Sequence, residues 1–460
     1  MVRRRERHAP GFSARIRGVL AVCAVLAGCA TWSGGFQDVE RDLRDERYAE
    51  ALAGLDRHGT ANRDRALYLL NKATVLRMSG DFRASNETFE AAKALMQDLS
   101  AVSLSEQTTS FIVNDATSAY AGEEYERVML HLYEALNYIE LGDLDNARVE
   151  ALQVDVLLRQ QADDATSDAY TEDAFARYLT GMIYEDFGEW SDAMIAYRKS
   201  YEAYIKYQKR YAVGVPWSLK HALLRLSDHL GLKDELRRYK SEFGIEQWVG
   251  FETWREQGEL VLLLHNGLAP LKSEQSLTVP DPASGHIVRI STPYYVSRPP
   301  MTAAARVRVT SHAMRTELVE DVQAIAQRTL QDRMPAITTR AIARAVVKAQ
   351  ASRVAQDAAR HQNKSNDALA AALLAFGIEV AGVLTERADT RSWATLPHDI
   401  QIARLPLAPG NYTVSIDLLD AGDRVVKTIE MKDVVINAGR KTYLSRHSTA
   451  SDAVAARRIP

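Results

Sequence analysis

The sequence predicts an α+β multidomain chain: a solenoid of helical hairpins, then a small antiparallel β-sandwich-like domain with a helical insertion. Three observations carry this prediction. Between residues 37 and 246 the apolar side chains recur with a helical period, and no Pro interrupts them from Asp38 to Pro216. Over residues 251–448 the period of the strand-like runs is two, with Pro and Gly clusters between them. A second, Ala-rich helical period at about 314–385 divides those runs into two groups. Apolar content of 46% and charged content of 25% are ordinary for a globular chain, and 460 residues suffice for two or three domains.

The chain opens with Arg3, Arg4, Arg5, Arg7, Arg15 and Arg17, then a short apolar run from Val19 to Val25, then Leu26-Ala27-Gly28-Cys29. A basic segment, a brief apolar segment and small residues describe a secretory signal peptide over residues 1–28. About ten apolar residues are too few to cross a bilayer, which needs roughly twenty. The L-A-G-C ending resembles the lipobox of bacterial lipoproteins. That resemblance implies diacylation of the Cys29 thiol, cleavage before it, and acylation (typically by palmitate) of the new amino terminus. By the same analogy Ala30, in place of Asp, points to the outer membrane with the body facing the periplasm. Two or more acyl chains anchor a protein firmly. Residues 29–36, with Thr31-Trp32-Ser33-Gly34-Gly35, are expected to form a flexible tether.

The leader holds six of the 57 basic and one of the 60 acidic residues, leaving 51 against 59 and a net charge of −8. A mildly acidic surface gives no encouragement to nucleic-acid or anionic-lipid binding, and no nucleic-acid partner is expected. Cys23 and Cys29 are the two cysteines, so the mature chain has no thiol for a disulfide or a Cys-ligated zinc. No metal or cofactor motif is identified.

Within residues 37–246 four segments share one design: a helix, a Gly, an acidic or small apolar residue, and a second helix. They are Gly80-Asp81-Phe82, Gly142-Asp143-Leu144, Gly188-Glu189-Trp190 and the weaker Gly231-Leu232-Lys233. Gly suits the left-handed end of the first helix, and an acidic residue suits the positive N-terminus of the next. Ala84, Ala147 and Ala193 follow four or five residues later and permit close helix packing. This pattern resembles the tetratricopeptide repeat, best over 172–204, where Tyr178, Gly181 and Tyr184 precede Ala193, Tyr197 and Ser200. The glycines lie 62, 46 and 43 positions apart, so the array is degenerate, with three to five repeats. Tyr197, Tyr201, Tyr204, Tyr207 and Tyr211 step along one helical face. They are expected either to pack between repeats or, with Tyr178 and Tyr184, to line a concave face that clamps a protein partner.

In the second half, Glu259 to Leu264 reads as a buried strand ending in the turn His265-Asn266-Gly267. His286 to Ile290 and Ala305 to Val309 alternate as half-buried strands. Residues 368–384 are nearly all apolar, but Glu379 and two Gly favour a buried helix over a lipid-facing one. Strands return from His398 to Leu405, Tyr412 to Ile416, Val425 to Ile429 and Lys441 to Leu444, before a loose tail at 449–460. The phrase L-P-L-A-P-G-N-Y-T-V resembles small transthyretin-like or immunoglobulin-like envelope modules. The run Ala388-Asp389-Thr390-Arg391-Ser392-Trp393 resembles an uncharacterised family of proteobacterial envelope lipoproteins that pair such a module with a repeat half. Asp389, Arg391 and Trp393 are expected to form either a recognition site or a buried ion pair under a packed Trp.

There is no G-x-S-x-G elbow, no H-E-x-x-H and no Walker phosphate loop. His265 at a strand end and Ser284 beside His286 fit turns better than a catalytic set. The expectation is a non-enzymatic, lipid-anchored scaffold that binds a periplasmic or envelope protein through its repeats. Envelope assembly, cell-wall synthesis and secretion are the processes that suit it. The alternative is a polysaccharide-processing or glycan-binding protein using the second half.

Overall fold

The computed structural model describes residues 32–58, 62–106, 118–163, 170, 172–280, 287–360 and 387–449. The leader, Cys29, Ser284, the apolar stretch 368–384 and the tail from 450 lie outside the described residues.

The glycine punctuation sets the helical pairs. Helix α3 (Arg65–Met78) turns into α4 (Phe82–Glu106), and α5 (Glu124–Glu140) into α6 (Leu144–Asp163). Likewise α7 (Ala174–Phe187) turns into α8 (Trp190–Tyr211), and α9 (Trp217–His229) into α10 (Lys233–Phe243). Gly80, Gly142, Gly188 and Gly231 all adopt positive φ, from 68° to 86°. At each turn the glycine N–H reaches the carbonyl three residues back and the next N–H reaches five back. Gly142 to Ile139 at 3.0 Å and Asp143 to Tyr138 at 2.8 Å are one such pair. Asp81 and Asp143 then accept the N–H groups of Ala84 and Asn146 at 3.1 Å, capping the following helix. Ala147 and Ala193 are buried as their spacing implies. After Gly80 the equivalent place is held by Ser85, buried with its hydroxyl on the Ala73 carbonyl at 2.8 Å, while Ala84 is half-buried. Gly181 has a packing role: a Cβ there would stand 2.3 Å from the Tyr197 ring, so α7 and α8 meet at a distance that needs glycine.

Ahead of these pairs, α1 (Trp32–Arg44) and α2 (Tyr48–His58) form a further hairpin. From residue 32 on, helix α1 corrects the flexible tether expected over 29–36; residues 29–31 lie outside the described residues. Phe36, Val39 and Leu43 recur at helical spacing and are buried. Glu40 pairs with Arg298 at 3.1 Å, and the Thr449 hydroxyl donates to the Leu43 carbonyl at 2.6 Å. This tertiary docking outweighs the helix-weakening Gly34 and Gly35.

After the short α11 (Phe251–Glu256) come β1 (Gly258–Asn266), β2 (Leu271–Pro280), β3 (Ile287–Val296), β4 (Ala304–Val309), β5 (His312–Arg315) and β6 (Glu317–Glu320). Helix α12 (Val322–Arg360) precedes β7 (Asp399–Leu407), β8 (Gly410–Leu419), β9 (Val425–Ile436) and β10 (Lys441–Ser448). Strands in the order β10–β1–β7–β6 form a middle sheet, and β5–β4–β8–β9 form an outer one. Leu260, Leu262 and Leu264 of β1 share a core with Val307, Ile416 and Ile436 of the outer sheet. Val261 and Leu263, on the opposite face of β1, join the core of the helices. Burial on both faces is why β1 is apolar at successive positions.

Two expectations about this half change. Strand β10 runs parallel to β1, with Val261 opposite Tyr443, so the middle sheet is mixed rather than antiparallel. The helical insertion expected from residue 314 begins at Val322, because β5 pairs with β4 and β6 with β7. The ribbon β2–β3 stands apart from both sheets, and Ala341 and Ala345 of α12 pack on Ile290 of β3. Among the described residues no helix is long and apolar enough to cross a membrane.

Candidate functional site

The inner face of the helical array is filled by the chain's own middle sheet. The first helix of each pair, α3, α5, α7 and α9, contributes contacts, and α8 adds Tyr204. On α3, Arg77 donates to the Ser445 hydroxyl of β10 at 2.6 Å. On α5, Tyr133 lies edge-on to His265 of β1, with ring centroids 5.4 Å apart. On α9, the backbone N–H and hydroxyl of Ser218 reach Glu317 of β6 at 3.3 and 3.2 Å.

The contact on α7 is ionic and buried. Arg404 of β7 holds Glu259 with two bonds of 2.9 and 2.6 Å and reaches Glu185 at 3.2 Å. Glu185 also takes Arg225 at 2.9 Å and Lys441 at 3.3 Å, and Lys441 lies 3.2 Å from Asp186. Three cations thus balance three buried anions. Burial pushes the Glu185 carboxyl up, but Lys441, Arg225 and Arg404 together hold it well below the usual range.

The tyrosines expected to clamp a partner are mostly spent on this contact. Tyr178, Tyr197 and Tyr204 are fully buried. The Tyr178 hydroxyl donates to Ser218 at 2.9 Å and accepts from Arg404 at 3.1 Å, and Tyr204 donates to the Val319 carbonyl at 3.0 Å. Tyr178 and Tyr204 therefore fasten the sheet, while Tyr197 packs between α7 and α8 against Tyr178 and Gly181; none of the three presents a face to an outside partner, which corrects that expectation. Tyr201 is half-buried and bonds Glu242 at 2.8 Å.

Asp389, Arg391 and Trp393 take the buried alternative. Trp393 is 1% exposed, and its indole N–H reaches the Thr74 hydroxyl at 2.9 Å. Phe89 and Tyr133 surround it with centroids at 5.6 and 5.9 Å. Arg391 grips Asp389 with bonds of 2.9 and 2.8 Å and crosses to Asp64 at 3.2 Å. The segment bolts β7 to α3 and α5, so its reading as a recognition site is corrected. His265 lies in the same interior, stacked on His447 at 4.5 Å. Burial lowers both imidazoles well below their ordinary pKa, and each is further lowered by the Arg77 charge. His265 is fully buried, and both ring nitrogens of the half-buried His447 are shielded from solvent.

An open groove remains on the outer side, between α6, α7 and α8, with a volume of ≈ 180 Å³. Tyr184, alone among the expected contact tyrosines, lines it, beside Leu152 and Ile195. Leu152 is 44% exposed and Ile195 47%, and Val149 and Val156 extend the same α6 stripe. Charged groups flank the apolar floor: Asp155 binds Arg177 at 2.6 Å and Lys199 at 2.9 Å. Burial raises the Asp155 carboxyl, but Lys199 and Arg177 outweigh it and hold its pKa low. Exposed Val149, Leu152 and Val156 are three, then four residues apart, a signal visible in the sequence yet hidden among the buried positions of α6.

No family model and no curated protein matches the sequence. Solved structures similar to it are repeat proteins. A tetratricopeptide repeat protein from Parabacteroides merdae is 17% identical, with a TM-score of 0.30, over 46% of this chain and 67% of its own. MamA protein is 14% identical, with a TM-score of 0.29, over 47% of this chain and 96% of its own. Nearly identical TPR-like repeats from Podosopora anserina are 14% identical, with a TM-score of 0.31, over 46% and 91%. Similarity at this level carries no functional assignment; the repeat character rests on the turns and helix pairs described above.

Proposed function

We propose that the chain is a non-catalytic scaffold: a lipoprotein anchored through Cys29 to the outer membrane that recruits an envelope protein on the periplasmic side. The groove between α6, α7 and α8 is the observation that carries the recruiting role. It joins exposed apolar side chains to fixed charges of both signs on a rigid helical frame, a composition suited to a protein segment. The inner face plays a different part from the one repeat arrays usually give it, holding the chain's own sheet. Helix α1 starts at Trp32, three residues after Cys29, so lipidation there keeps the body close to the membrane surface.

Crosslinking and affinity purification from envelopes test this reading. The double variant Leu152→Arg, Ile195→Arg is expected to lose a specific partner while melting like the wild type. A partner retained by that variant overturns the groove's role. Separately, Cys29→Ser is expected to leave the membrane fraction, and its retention there refutes the anchor.

A further inference from the structure

We propose that His131, Glu134 and Glu150 form a divalent metal site in which the ammonium of Lys93 stands in for the ion. His131 and Glu134 sit one turn apart on α5, and Glu150 comes from the facing α6. One donor atom from each lies within 4.8 Å of the others. The His131 Nδ1 is 2.6 Å from Glu150 Oε2 and 3.9 Å from Glu134 Oε2. Tetrahedral zinc with bonds of about 2.0–2.1 Å sets its donors roughly 3.4 Å apart. These two separations bracket that value, so small side-chain shifts suffice.

The cluster also holds an unspent acceptor. Glu134 is fully buried, and its Oε1 has no hydrogen-bond partner. A buried carboxylate oxygen in that state calls for a proton or a cation. Lys93, from α4, answers only in part. Its Nζ reaches Glu134 Oε2 at 2.9 Å and Glu150 Oε1 at 3.3 Å, and its third partner is the exposed Glu90 at 2.8 Å.

One imidazole and two carboxylates suit Zn²⁺, Mn²⁺ or Fe²⁺ and give no preference to soft Cu(I). On binding, the proton that His131 Nδ1 and Glu150 Oε2 share in their 2.6 Å hydrogen bond leaves to solvent, the ion takes the freed Nδ1 lone pair, and the ring keeps a proton on Nε2. The Lys93 ammonium swings toward Glu90 and solvent, a move its long flexible stem allows. The ion then ties α5 to α6 directly.

The test uses Zn²⁺ alone, titrated into the full chain in detergent, with Co²⁺ absorption reporting the ligand set. The wild type is expected to bind one ion that His131→Gln and Glu134→Gln each weaken at least tenfold. Lys93→Met removes the competing ammonium and is expected to bind at least tenfold more tightly, with a rise in melting temperature on adding Zn²⁺. Equal binding by wild type and His131→Gln overturns the proposal, as does failure of both the wild type and Lys93→Met to bind. Should Lys93→Met not fold, the comparison of wild type with His131→Gln decides alone.

Discussion

Replacing Arg404 by Met removes the central cation between α7 and the middle sheet. The guanidinium makes two bonds to Glu259, one to Glu185 and one to the Tyr178 hydroxyl. Glu185 keeps Arg225 at 2.9 Å and Lys441 at 3.3 Å. Glu259, 5% exposed, loses both of its bonds to the guanidinium. A buried charge stripped of its partner costs about 3–5 kcal/mol. Arg404→Met is therefore expected to lose about 3–5 kcal/mol. Urea unfolding of the full chain at neutral pH measures this, with Arg404→Met, Glu259→Gln as the neutral isostere that recovers most of the loss. A cost below about 1 kcal/mol, or a double variant no more stable than Arg404→Met, refutes the reasoning.

Other perturbations probe the same interior. His265 and His447 fold with depressed pKa values, so the unfolded chain binds the extra protons as pH drops below about 6.5 and stability is lost. His447→Leu is expected to reduce that loss by up to about 1.4 kcal/mol per pH unit as pH falls from 6.5 to 5, and identical slopes in the two proteins contradict it. Trp393→Ala opens a cavity between Phe89, Tyr133 and Thr74 and is expected to cost about 3–5 kcal/mol in denaturant unfolding. A loss under about 1 kcal/mol would mean that the segment is not buried. Gly181→Ala drives a methyl into the Tyr197 ring and is expected to cost about 1–3 kcal/mol by the same assay, with no cost if α7 and α8 sit further apart.

What could be read from the sequence was local. Gly80, Gly142, Gly188 and Gly231 announce their turns because a left-handed helix end is a property of one residue and its neighbours. The unbroken apolar run of β1 announces burial on both faces. Helix α1 was hidden because Gly34 and Gly35 mark a loop, whereas Phe36, Val39 and Leu43 find their core only in three dimensions. The parallel pairing of β10 with β1 joins residues some 180 positions apart in sequence, and no local pattern specifies it. Tyr178, Tyr197 and Tyr204 show why periodicity locates a face without naming its occupant: the occupant is β6, β7 and the preceding helices of the same chain. For the metal cluster, His131 and Glu134 have a visible spacing, but Lys93 and Glu150 arrive from separate helices.

With the array's inner face closed by the chain itself, the repeat array and the middle sheet are expected to unfold as one cooperative body. Hydrogen exchange read peptide by peptide across a urea titration of the full chain measures this. Peptides from α3, α5 and α7 and from β1, β7 and β10 are expected to lose protection at a single midpoint. Loss of protection in the sheet while the helices remain protected would contradict that expectation and return the inner face to an outside partner.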